Sequence, residues 1–434
     1  MKNVLILGSG LVARPMIHYL LKQGFRVTVA SNTPDRAAGM ITGFTGGASL
    51  SWEANDEEAL DRMVAEHDLT VSLLPWTFHS LVARYCLKHR KHLVTTSYVK
   101  PEMKALDEPA RKAGVLFLNE VGLDPGIDHM SAMQIIDAVH REGGAVLEFY
   151  SICGALPAPE VSSNPFRYKF SWSPKGVIMA SNNDATFLRH GKETYIPSSD
   201  LFRSPFTIDF PGAGMLEVYP NRDSLAYRDL YCIPETQTLF RGTFRYKGWC
   251  ELLDQMKQLG LLSYETLDMT GMTFTDLLSY QLKRSPVNLI AGSPCYNALK
   301  WLGFFEIIPM NRETDSPFEV TSDLMIRKMS MHEDERDMVV MQHTFLAGYP
   351  DGHREVIRSR MLDFGIPGGD TAVARTVSLP AALCVELILG DQWRLTGVHI
   401  PVIPEIYQPV LARLSTLGIT MQEEFQLPLS TNIK

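Results

Sequence analysis

The sequence predicts an α/β fold built on a doubly wound parallel sheet, followed by a second region of different character. Between residues 3 and 120, strand-like apolar segments alternate with amphipathic segments, which is the pattern of strands joined by crossover helices. A glycine-rich turn follows the first of these strands. After residue 145 the alternation stops, and a loop rich in Pro, Ser and aromatic residues precedes a mostly helical stretch. A chain of 434 residues is long enough for two or three domains.

The elements of the first half are predicted in chain order. NVLILG and RVTVAS are predicted strands, and the segment between them is a predicted helix that ends at Gly24. Three further strands are predicted at LTVSLLP, KHLVTTS and VLFLN. Helices are predicted at EEALDRMVAEH, HSLVARYCLKHR and KPEMKALDEPARKAG.

The second half has longer elements. AVLEFYSICGALP is a predicted strand, and residues 250–335 are predicted to be mostly helical. A hairpin is predicted over residues 337–365, because Pro350, Asp351 and Gly352 form a turn signal between two alternating segments. Two final helices are predicted at TAVARTVSLPAALCVELILG and EIYQPVLARLSTLGI.

The composition argues against several classes of partner. The formal net charge is −8, so a nucleic acid or an anionic membrane is not expected as the main partner. The six cysteines form no Cys-x-x-Cys pair and no zinc-ligand spacing, and we predict no metal site. The first apolar run, Val4–Leu7, is too short for a signal sequence or a membrane span. We therefore expect a cytoplasmic protein.

A dinucleotide-binding turn is predicted directly after the first strand. The motif is G-x-G-x-x-A, formed by Gly8, Ser9, Gly10, Leu11, Val12 and Ala13. The glycines allow the main chain to turn tightly and to approach a pyrophosphate at the start of the following helix. Because the motif lies between a predicted strand and a predicted helix, it indicates a Rossmann-like domain that binds NAD or NADP.

The end of the second strand does not decide between the two coenzymes. An acidic residue there would bind the ribose 2′-hydroxyl of NAD, and an arginine would bind the 2′-phosphate of NADP. This chain has Ser31, Asn32 and Thr33. The lack of an acid favours NADP, and Arg36 could reach the phosphate, although a solvent-exposed charge on the helix is an equal alternative.

Three predicted strands are followed by turns that should lie together, because the carboxyl ends of parallel strands share one edge of the sheet. Leu74 and Tyr98 lie in turns after two of these strands, and Asp124 with Pro125 follows the third. Tyr98 could bind a substrate or carry a proton, although aromatic packing is an alternative. This edge is where cofactor and substrate should meet, so Asp124 is a candidate catalytic residue. Asp128 and His129 are expected to cap the next helix.

Cationic side chains in the second half could bind carboxylates. They include Arg222 and Arg245, and also Arg167, Lys169, Lys175 and Arg241. Any one of them taken alone is expected to be a surface charge. Cys153 lies in an apolar segment, where a single cysteine usually packs in the core.

Several segments together resemble the glutamate-forming saccharopine dehydrogenase (saccharopine reductase) family. They include LGSGLVARP, VSLLPWTFH, VTTSYVKPEM, NEVGLDPGIDHM, CGALPAPE, NPFRYKFSWSPKGV, YPNRDS and RGTFRYKG, and the resemblance covers nearly the whole chain. The resemblance implies a Rossmann domain at residues 1–125 that residues 370–434 complete. It also implies an α+β substrate and dimerisation domain with a mixed sheet, at 126–250 and 336–369. Residues 251–335 would be an inserted helical region.

The resemblance also implies functional residues. The cofactor would contact the residues Gly8 to Ala13, Ser31, Asn32, Thr33, Leu74, Ser97, Leu123 and Pro125. The substrate would contact Ser97, Tyr98, Asp124, Arg222, Thr243, Phe244 and Arg245. Asp124 and Tyr98 would position the reacting amine, and Cys153 would tune the site. The family's fungal synthetic enzymes carry an arginine at the position of Asn32 and its bifunctional enzymes carry an acid, so the coenzyme preference stays open.

The implied reaction interconverts saccharopine with glutamate and 2-aminoadipate 6-semialdehyde. The implied substrate carries three carboxylates, and a homodimer is expected. One alternative is a related imine reductase such as carboxynorspermidine dehydrogenase, which would need fewer cations. A second alternative is a non-catalytic dinucleotide-binding sensor, which would not need Tyr98, Asp124 and Arg245.

Overall fold

The computed structural model describes residues 1–431 and divides into two compact units. Unit 1 comprises Met1–Glu142 and Gly369–Gln422, and unit 2 comprises Gly143–Gly368 and the described residues from Glu423 onward. The chain therefore leaves unit 1, forms unit 2 and returns. The last three residues of the predicted range 370–434 lie outside the described residues.

Unit 1 is built on a parallel sheet of seven strands. The strands are β1 Asn3–Leu7, β2 Arg26–Ser31, β3 Gly47–Ser51, β4 Leu69–Ser72, β5 His92–Thr95, β6 Leu116–Leu118 and β17 Gly397–His399. The helices are α1 Ala13–Lys22, α2 Pro34–Ile41, α3 Glu57–Glu66, α4 His79–Lys88, α5 Pro101–Lys104, α6 Asp107–Ala113, α7 Ile127–Arg141, α14 Ala372–Leu389 and α15 Pro404–Thr416.

The strand order creates a crevice at one point of this sheet. The order is β17-β6-β5-β4-β1-β2-β3, so the chain builds outward from β1 in one direction and then from β4 in the other. Ligands of doubly wound sheets bind outside the carboxyl ends of the strands at such a switch point. The order confirms the predicted doubly wound parallel sheet.

Three elements of unit 1 were not predicted. Helix α2 is short, β17 has three residues, and β3 (GASLS) has mostly exposed or half-buried residues, so none carries a strong apolar signal. The predicted single helix KPEMKALDEPARKAG is instead two helices, α5 and α6. Pro109 explains the break, because it has no N–H to bond the carbonyl of Ala105 and its ring clashes with that carbonyl.

Helix α14 is apolar enough to cross a membrane by length and composition alone, with a mean hydropathy of 1.7. However, 83% of the helix is buried inside the protein. Burial of this kind is the property of a core helix, and α14 packs against α1 in unit 1.

Unit 2 is built on a mixed sheet of nine strands. Its strands are β7 Ala145–Pro157, β8 Ala185–Arg189, β9 Lys192–Ile196, β10 Phe206–Phe210, β11 Gly214–Pro220, β12 Thr238–Tyr246, β15 Asp337–Gly348, β16 Arg354–Phe364 and β18 Gln422–Leu427. The main order is β10-β11-β12-β7-β15-β16-β18. Strands β7 and β12 are parallel, whereas the other neighbouring pairs with a described register are antiparallel. The predicted strand at β7 and the predicted hairpin β15–β16 are confirmed.

The helices of unit 2 pack with this sheet in one core. They are α8 Pro174–Met179, α9 Ala226–Leu230, α10 Trp249–Gln258, α11 Phe274–Arg284, α12 Pro294–Leu302 and α13 Pro317–Lys328, and a two-stranded ribbon joins β13 Leu267–Asp268 to β14 Thr314–Asp315. One apolar cluster contains residues of β7, β11 and β12 as well as residues of α10 to α13. The helical stretch 251–335 is therefore part of the unit 2 core and is not separate from it.

The unit boundaries differ from the predicted domain boundaries in two further places. Helix α7 belongs to unit 1, where the Tyr407 hydroxyl of α15 donates a hydrogen bond of 2.7 Å to Asp137. The first unit thus extends past residue 125 to Glu142. Strand β18 adds an edge to the sheet of unit 2, so the end of the chain does not stay with unit 1.

Candidate active site

The turn between β1 and α1 leaves room for a ligand against the main chain. Gly8 has φ +107°, and a Cβ atom there would lie 3.2 Å from the carbonyl oxygen of Leu73 in the neighbouring turn. At Gly10 an added Cβ would meet no atom within 4 Å. Leu11 is 53% exposed, so it offers an apolar surface at the same turn. These features fit a dinucleotide, whose pyrophosphate needs close approach to the main chain at the start of a helix.

Three hydroxyl groups form a cluster at the ends of β1 and β2. The Oγ atoms of Ser9 and Ser31 are 2.8 Å apart, and Thr33 Oγ1 lies 2.9 Å from the first and 3.0 Å from the second. We call these three residues the hydroxyl cluster. Asn32 is exposed beside it. The cluster offers neutral hydrogen-bonding groups where an acid would select NAD, and so fits either coenzyme.

A buried histidine links the turns after β4 and β5. His79, at the start of α4, is 5% exposed. Its Nδ1 lies 2.9 Å from Ser72 Oγ, and its Nε2 lies 2.8 Å from Ser97 Oγ. Burial lowers the pKa of His79 from 6.5 to about 4, so the ring is neutral at physiological pH. A neutral ring donates through one nitrogen and accepts through the other, which holds Ser97 in place.

Tyr98 and Asp124, which the sequence placed at one edge of the sheet, are in contact. The Tyr98 hydroxyl donates a hydrogen bond of 3.1 Å to Asp124 Oδ1, and both residues are half-buried. Together with Ser97 they form what we call the rim. A phenol that hydrogen-bonds to a carboxylate at a sheet edge can bind an amine and pass on its proton.

A main-chain hydrogen bond closes the turn that carries Asp124. The Asp124–Pro125 peptide bond is cis, and the N–H of Gly122 donates to the carbonyl oxygen of Pro125 at 2.9 Å. Gly126 has φ +148°, and a Cβ there would lie 2.0 Å from the carbonyl oxygen of Gly122. Only glycine fits at position 126, because the main chain of Gly122 lies where a side chain would begin. Leu123 is buried and contributes apolar surface.

Asp128 and His129 behave differently from each other. The Asp128 carboxylate accepts a hydrogen bond of 2.6 Å from the N–H of Gly126, the N-cap residue of α7, so it does bond to the helix start. The N-cap residue itself is Gly126, with no capping side chain, so the expectation that Asp128 and His129 cap this helix is wrong. His129 is fully buried, and its Nε2 lies 2.8 Å from Glu120 Oε2.

A small cavity of about 180 Å³ opens beside the rim in unit 1. Its lining includes Trp76, His79, Tyr98, Lys100 and Asn119. Trp76 is 59% exposed, and the Lys100 ammonium lies 5.2 Å from the centre of its ring. Leu74 is half-buried in the preceding turn and packs against the apolar core.

In unit 2, Cys153, Thr243 and Arg245 share one face of the sheet. Cys153 and Thr243 are register partners on the parallel strands β7 and β12, and Arg245 follows two residues later. Phe244 points to the opposite face, because side chains alternate along a strand. It is 0% exposed and packs against Phe210, so its predicted contact with substrate could come only from its main chain.

The Arg245 guanidinium lies in an aromatic cage. Its central carbon is 4.9 Å from the ring centre of Tyr168, 5.4 Å from that of Trp249 and 5.9 Å from that of Tyr219. Arg245 is 4% exposed, and its Nη1 donates to the carbonyl oxygen of Phe244 at 2.7 Å. Burial raises the pKa of both tyrosines, so the cage is uncharged.

This cage leaves hydrogen-bonding capacity unused. Among the described residues, Arg245 Nε and Trp249 Nε1 have no hydrogen-bond partner, and no carboxylate pairs with the guanidinium. A buried cation without a counter-charge is unfavourable unless an anion binds to it, and ring faces offset only part of that cost. The site is therefore suited to a carboxylate, which a guanidinium binds strongly.

The other candidate cations have partners or are exposed. Lys169 forms an ion pair with Glu335, and Lys175 forms one with Glu319 at 2.8 Å. The remaining two arginines stack on rings: Arg167 lies 4.7 Å from the centre of Tyr246, and Arg241 lies 4.2 Å from that of Tyr227. Arg222, after β11, is exposed and has φ +50°. Arg245 thus differs from Lys169 and Lys175, which are paired with carboxylates, and from Arg222, which is exposed.

Two residues next to the rim, His79 and Glu120, were not predicted from the sequence. His79 and Glu120 both bond to the segment that carries Ser97 and Tyr98. His79 ends the segment VSLLPWTFH and Glu120 lies in NEVGLDPGIDHM, and their place in these segments was the available signal. No group of three or more potential metal ligands is present among the described residues.

Family models match almost the whole chain. The saccharopine dehydrogenase NADP binding domain matches residues 4–118, and the saccharopine dehydrogenase C-terminal domain matches residues 122–419.

Full-length alignments to relatives agree with these models, and one of these relatives is about twice as long as this chain. The NADP-dependent, L-glutamate-forming saccharopine dehydrogenase of Schizosaccharomyces pombe is 37% identical over 98% of this chain and 99% of its own length. The enzyme of that name from Saccharomyces cerevisiae is 36% identical with the same coverage. The mitochondrial alpha-aminoadipic semialdehyde synthase of Bos taurus is 36% identical over 96% of this chain but only 47% of its own length.

A solved structure has the same fold. The apo, histidine-tagged saccharopine dehydrogenase (L-Glu forming) from Saccharomyces cerevisiae superposes with a TM-score of 0.90 at 34% identity. The match covers 98% of this chain and 100% of that chain.

Proposed function

The chain belongs to the saccharopine dehydrogenase family, and on this basis we propose that it oxidises saccharopine with NADP. The products are glutamate and 2-aminoadipate 6-semialdehyde, and the reaction is a step of lysine metabolism. The reverse reaction joins the same two compounds and reduces the resulting imine. The enzyme is an oxidoreductase that acts on a carbon–nitrogen bond.

The choice of saccharopine as the substrate rests mainly on the buried side chain of Arg245. Saccharopine has three carboxylates, and the aromatic cage of unit 2 presents a guanidinium with no anion of its own. A carboxylate would satisfy the free Arg245 Nε, and the Trp249 N–H is a second donor in the cage. Thr243 and Cys153 lie on the same face and could contact the substrate beside it. Arg222, which is exposed, would serve a second carboxylate.

The coenzyme is NADP, and the residues of unit 1 fit it. The open main chain at Gly10 would hold the pyrophosphate, and Leu11 would cover part of the dinucleotide. The hydroxyl cluster and Asn32 would bind the 2′-phosphate through neutral donors. The residue that follows β2 is Asn32 and not an arginine. For this reason we propose that NAD is also accepted, with lower efficiency than NADP.

The reaction needs a hydride acceptor and several proton transfers. When bound, the nicotinamide would supply the hydride acceptor. The Asp124 carboxylate, which accepts a hydrogen bond from the Tyr98 hydroxyl, would bind the substrate amine and remove its proton. Loss of hydride from the adjacent carbon leaves an imine in the substrate. Water then adds to that carbon and releases a proton. The carbon–nitrogen bond breaks as the new hydroxyl loses its proton and the nitrogen takes one, which leaves the semialdehyde and the amine of glutamate.

His79 would orient a neighbouring side chain and would not take part in proton transfer with the substrate. Its pKa of about 4 keeps the ring neutral, and its two nitrogens are both occupied by hydroxyl groups. We propose that it fixes the Ser97 hydroxyl, which would contact coenzyme or substrate, so that Ser97 needs no reorganisation during turnover.

The test is an absorbance assay with purified protein, saccharopine, and NADP or NAD in parallel. We expect reduced nicotinamide to accumulate with both coenzymes and faster with NADP. The Asp124→Asn protein is the matched control, since it keeps the shape of the side chain but loses its charge. If the protein binds NADP but does not oxidise saccharopine, another imine precursor such as carboxynorspermidine becomes the better candidate.

We also propose that the enzyme acts in the cytoplasm as a homodimer. The six cysteines are free thiols, five of them buried, which suits a reducing compartment. Light scattering coupled to gel filtration should give about twice the chain mass of 48.7 kDa. A mass equal to a single chain at micromolar concentration would exclude the dimer.

A further inference from the structure

Glu120 has an unusual main-chain conformation for a glutamate. It lies two residues after the end of β6 at Leu118 and has φ +59°, in the left-handed region that favours glycine. It is nevertheless 6% exposed, so its carboxylate is held inside the protein. A strained conformation of a buried acidic residue persists only where the surroundings hold it, and such residues are concentrated at functional sites.

The hydrogen bonds of Glu120 reach the main chain on both sides of Tyr98. Its N–H donates to the carbonyl oxygen of Ser97 at 3.3 Å, and its Oε1 accepts from the N–H of Val99 at 2.8 Å. The segment from Ser97 to Val99 is therefore fixed before and after Tyr98 by one residue. Its other carboxylate oxygen is 2.8 Å from Nε2 of the buried His129.

His129 connects this bond to the turn that carries Asp124. It lies in the first turn of α7, which begins at Ile127, three residues after Asp124. The carboxylate of Glu120 therefore joins the segment of Tyr98 to the helix that follows Asp124. The two joined segments are the ones whose side chains meet in the Tyr98–Asp124 hydrogen bond of 3.1 Å.

We propose that Glu120 is a positioning residue that, with His129, sets the geometry of the Tyr98–Asp124 pair. This inference rests on the proposed function for its catalytic meaning. Glu120 would not touch the reacting atoms. It acts by fixing Tyr98 at hydrogen-bonding distance from Asp124, and a small displacement of a catalytic group is enough to slow a reaction considerably.

The first test follows the Tyr98 phenol without substrate. Full-length protein is labelled with carbon-13 at the Cζ atom of tyrosine, and the Tyr98 resonance is assigned with Tyr98→Phe. Asp124→Asn gives the chemical shift of the phenol when its charged acceptor is lost. We expect Glu120→Ala to move the Tyr98 resonance towards that value, and Glu120→Gln, which retains an acceptor for the Val99 N–H, to move it less.

Asp107→Asn is the control for this test. Asp107 is in the same unit, and its carboxylate also accepts a main-chain hydrogen bond, from Val398 at 2.8 Å. This variant should leave the Tyr98 resonance unchanged. If Glu120→Ala does not fold, Glu120→Gln and His129→Gln decide the question. An unchanged Tyr98 resonance in the folded variants overturns the proposal.

The second test compares turnover in single and double variants. Glu120→Gln should lower kcat by about 10-fold to 100-fold with little change in KM, because it misplaces a catalytic pair without touching substrate. In the Asp124→Asn enzyme, the further change Glu120→Gln should lower kcat no more. If the two losses of kcat multiply in the double variant, Glu120 has a general structural role and the proposal is refuted. A wild-type protein that does not oxidise saccharopine would refute the proposed function and leave the resonance test decisive for Glu120.

Discussion

In unit 1 the polar side chains of the rim are bonded to one another, whereas in unit 2 the Arg245 guanidinium has no anionic partner among the described residues. Ser97 is held by His79, and Tyr98 by Asp124. Arg245 is surrounded by rings that stabilise a cation but cannot neutralise it.

The polar groups of unit 1 are hydrogen-bonded before any ligand binds, whereas the guanidinium of unit 2 has, within residues 1–431, no anionic partner until a ligand binds. Groups that are already bonded are preorganised, so they cost little to arrange at the moment of reaction, and they also stabilise the fold. A buried charge without a partner does the opposite, since it destabilises the free protein and is satisfied only when its ligand binds. We therefore expect substitutions in unit 1 to affect kcat or stability, and substitution of Arg245 to affect KM.

The largest effect is expected at Asp124. Asp124→Ala should lower kcat by about 100-fold to 10,000-fold, because the substrate amine loses the carboxylate that takes its proton. Thermal unfolding should change little, since Asp124 is only half-buried and its turn is held by main-chain bonds. Tyr98→Phe should show a smaller loss of kcat. An Asp124→Ala enzyme with wild-type turnover would exclude Asp124 from the chemistry.

Substitution of Arg245 is expected to raise KM, whereas substitution of Asp124 is expected to lower kcat. Arg245→Met should raise KM for saccharopine on the order of 100-fold, because a buried carboxylate contact is lost. The free energy of unfolding of the free protein should stay equal or rise, since an unpaired buried charge is replaced by an apolar chain. Steady-state kinetics and urea unfolding measure the two quantities on the same protein.

Lys169→Met is the matched control for that experiment. Lys169 is a mostly buried cation of the same unit, but it is paired with Glu335. Its loss should lower the free energy of unfolding by about 1–3 kcal/mol, because a carboxylate is left without its partner. KM should not change. Equal losses of stability in the Arg245 and Lys169 variants would show that Arg245 has a structural role instead.

The fold was more predictable than the site, for physical reasons. Long elements with strong apolar patterns, such as β7 and α14, were predicted within a residue or two. Short or exposed elements such as β3 were missed because their burial gives no pattern. Tyr98 and Asp124 could be placed at one edge because parallel strands end on the same side of a sheet.

The contacts within the site depend on packing between distant segments. His79 bonds to residues from two strands, and nothing in the sequence around it states that partnership. The positive φ of Glu120 is equally invisible in the sequence. For Phe244 the family resemblance indicated a run of binding residues, yet strand alternation sends its side chain to the other face.

His79 provides a smaller effect that depends on pH. Its folded-state pKa of about 4 lies below its unfolded value of 6.5, so between these values the unfolded chain binds a proton that the folded protein does not. Stability should therefore fall as the pH is lowered through this window, by at most about 1.4 kcal/mol per pH unit from this residue. The difference between wild type and His79→Gln in urea unfolding at several pH values isolates this contribution. A difference that does not vary with pH would mean that the ring is already protonated or remains exposed.

The smallest effect is expected at Asn32, which tests whether the hydroxyl cluster alone selects the coenzyme. Asn32→Arg should raise the preference for NADP over NAD by about 10-fold, because a guanidinium can pair with the 2′-phosphate. Asn32→Asp should shift the preference towards NAD by a similar factor, since a carboxylate repels the phosphate and accepts from the ribose hydroxyl. Asn32 is exposed, so neither change should alter stability. Fluorescence titration of each reduced coenzyme, beside kcat/KM for each oxidised one, separates binding from turnover. If both variants keep the wild-type preference, the selection comes from Ser9, Ser31 and Thr33, and unit 1 then fixes its coenzyme as it fixes its rim, through neutral groups bonded to one another.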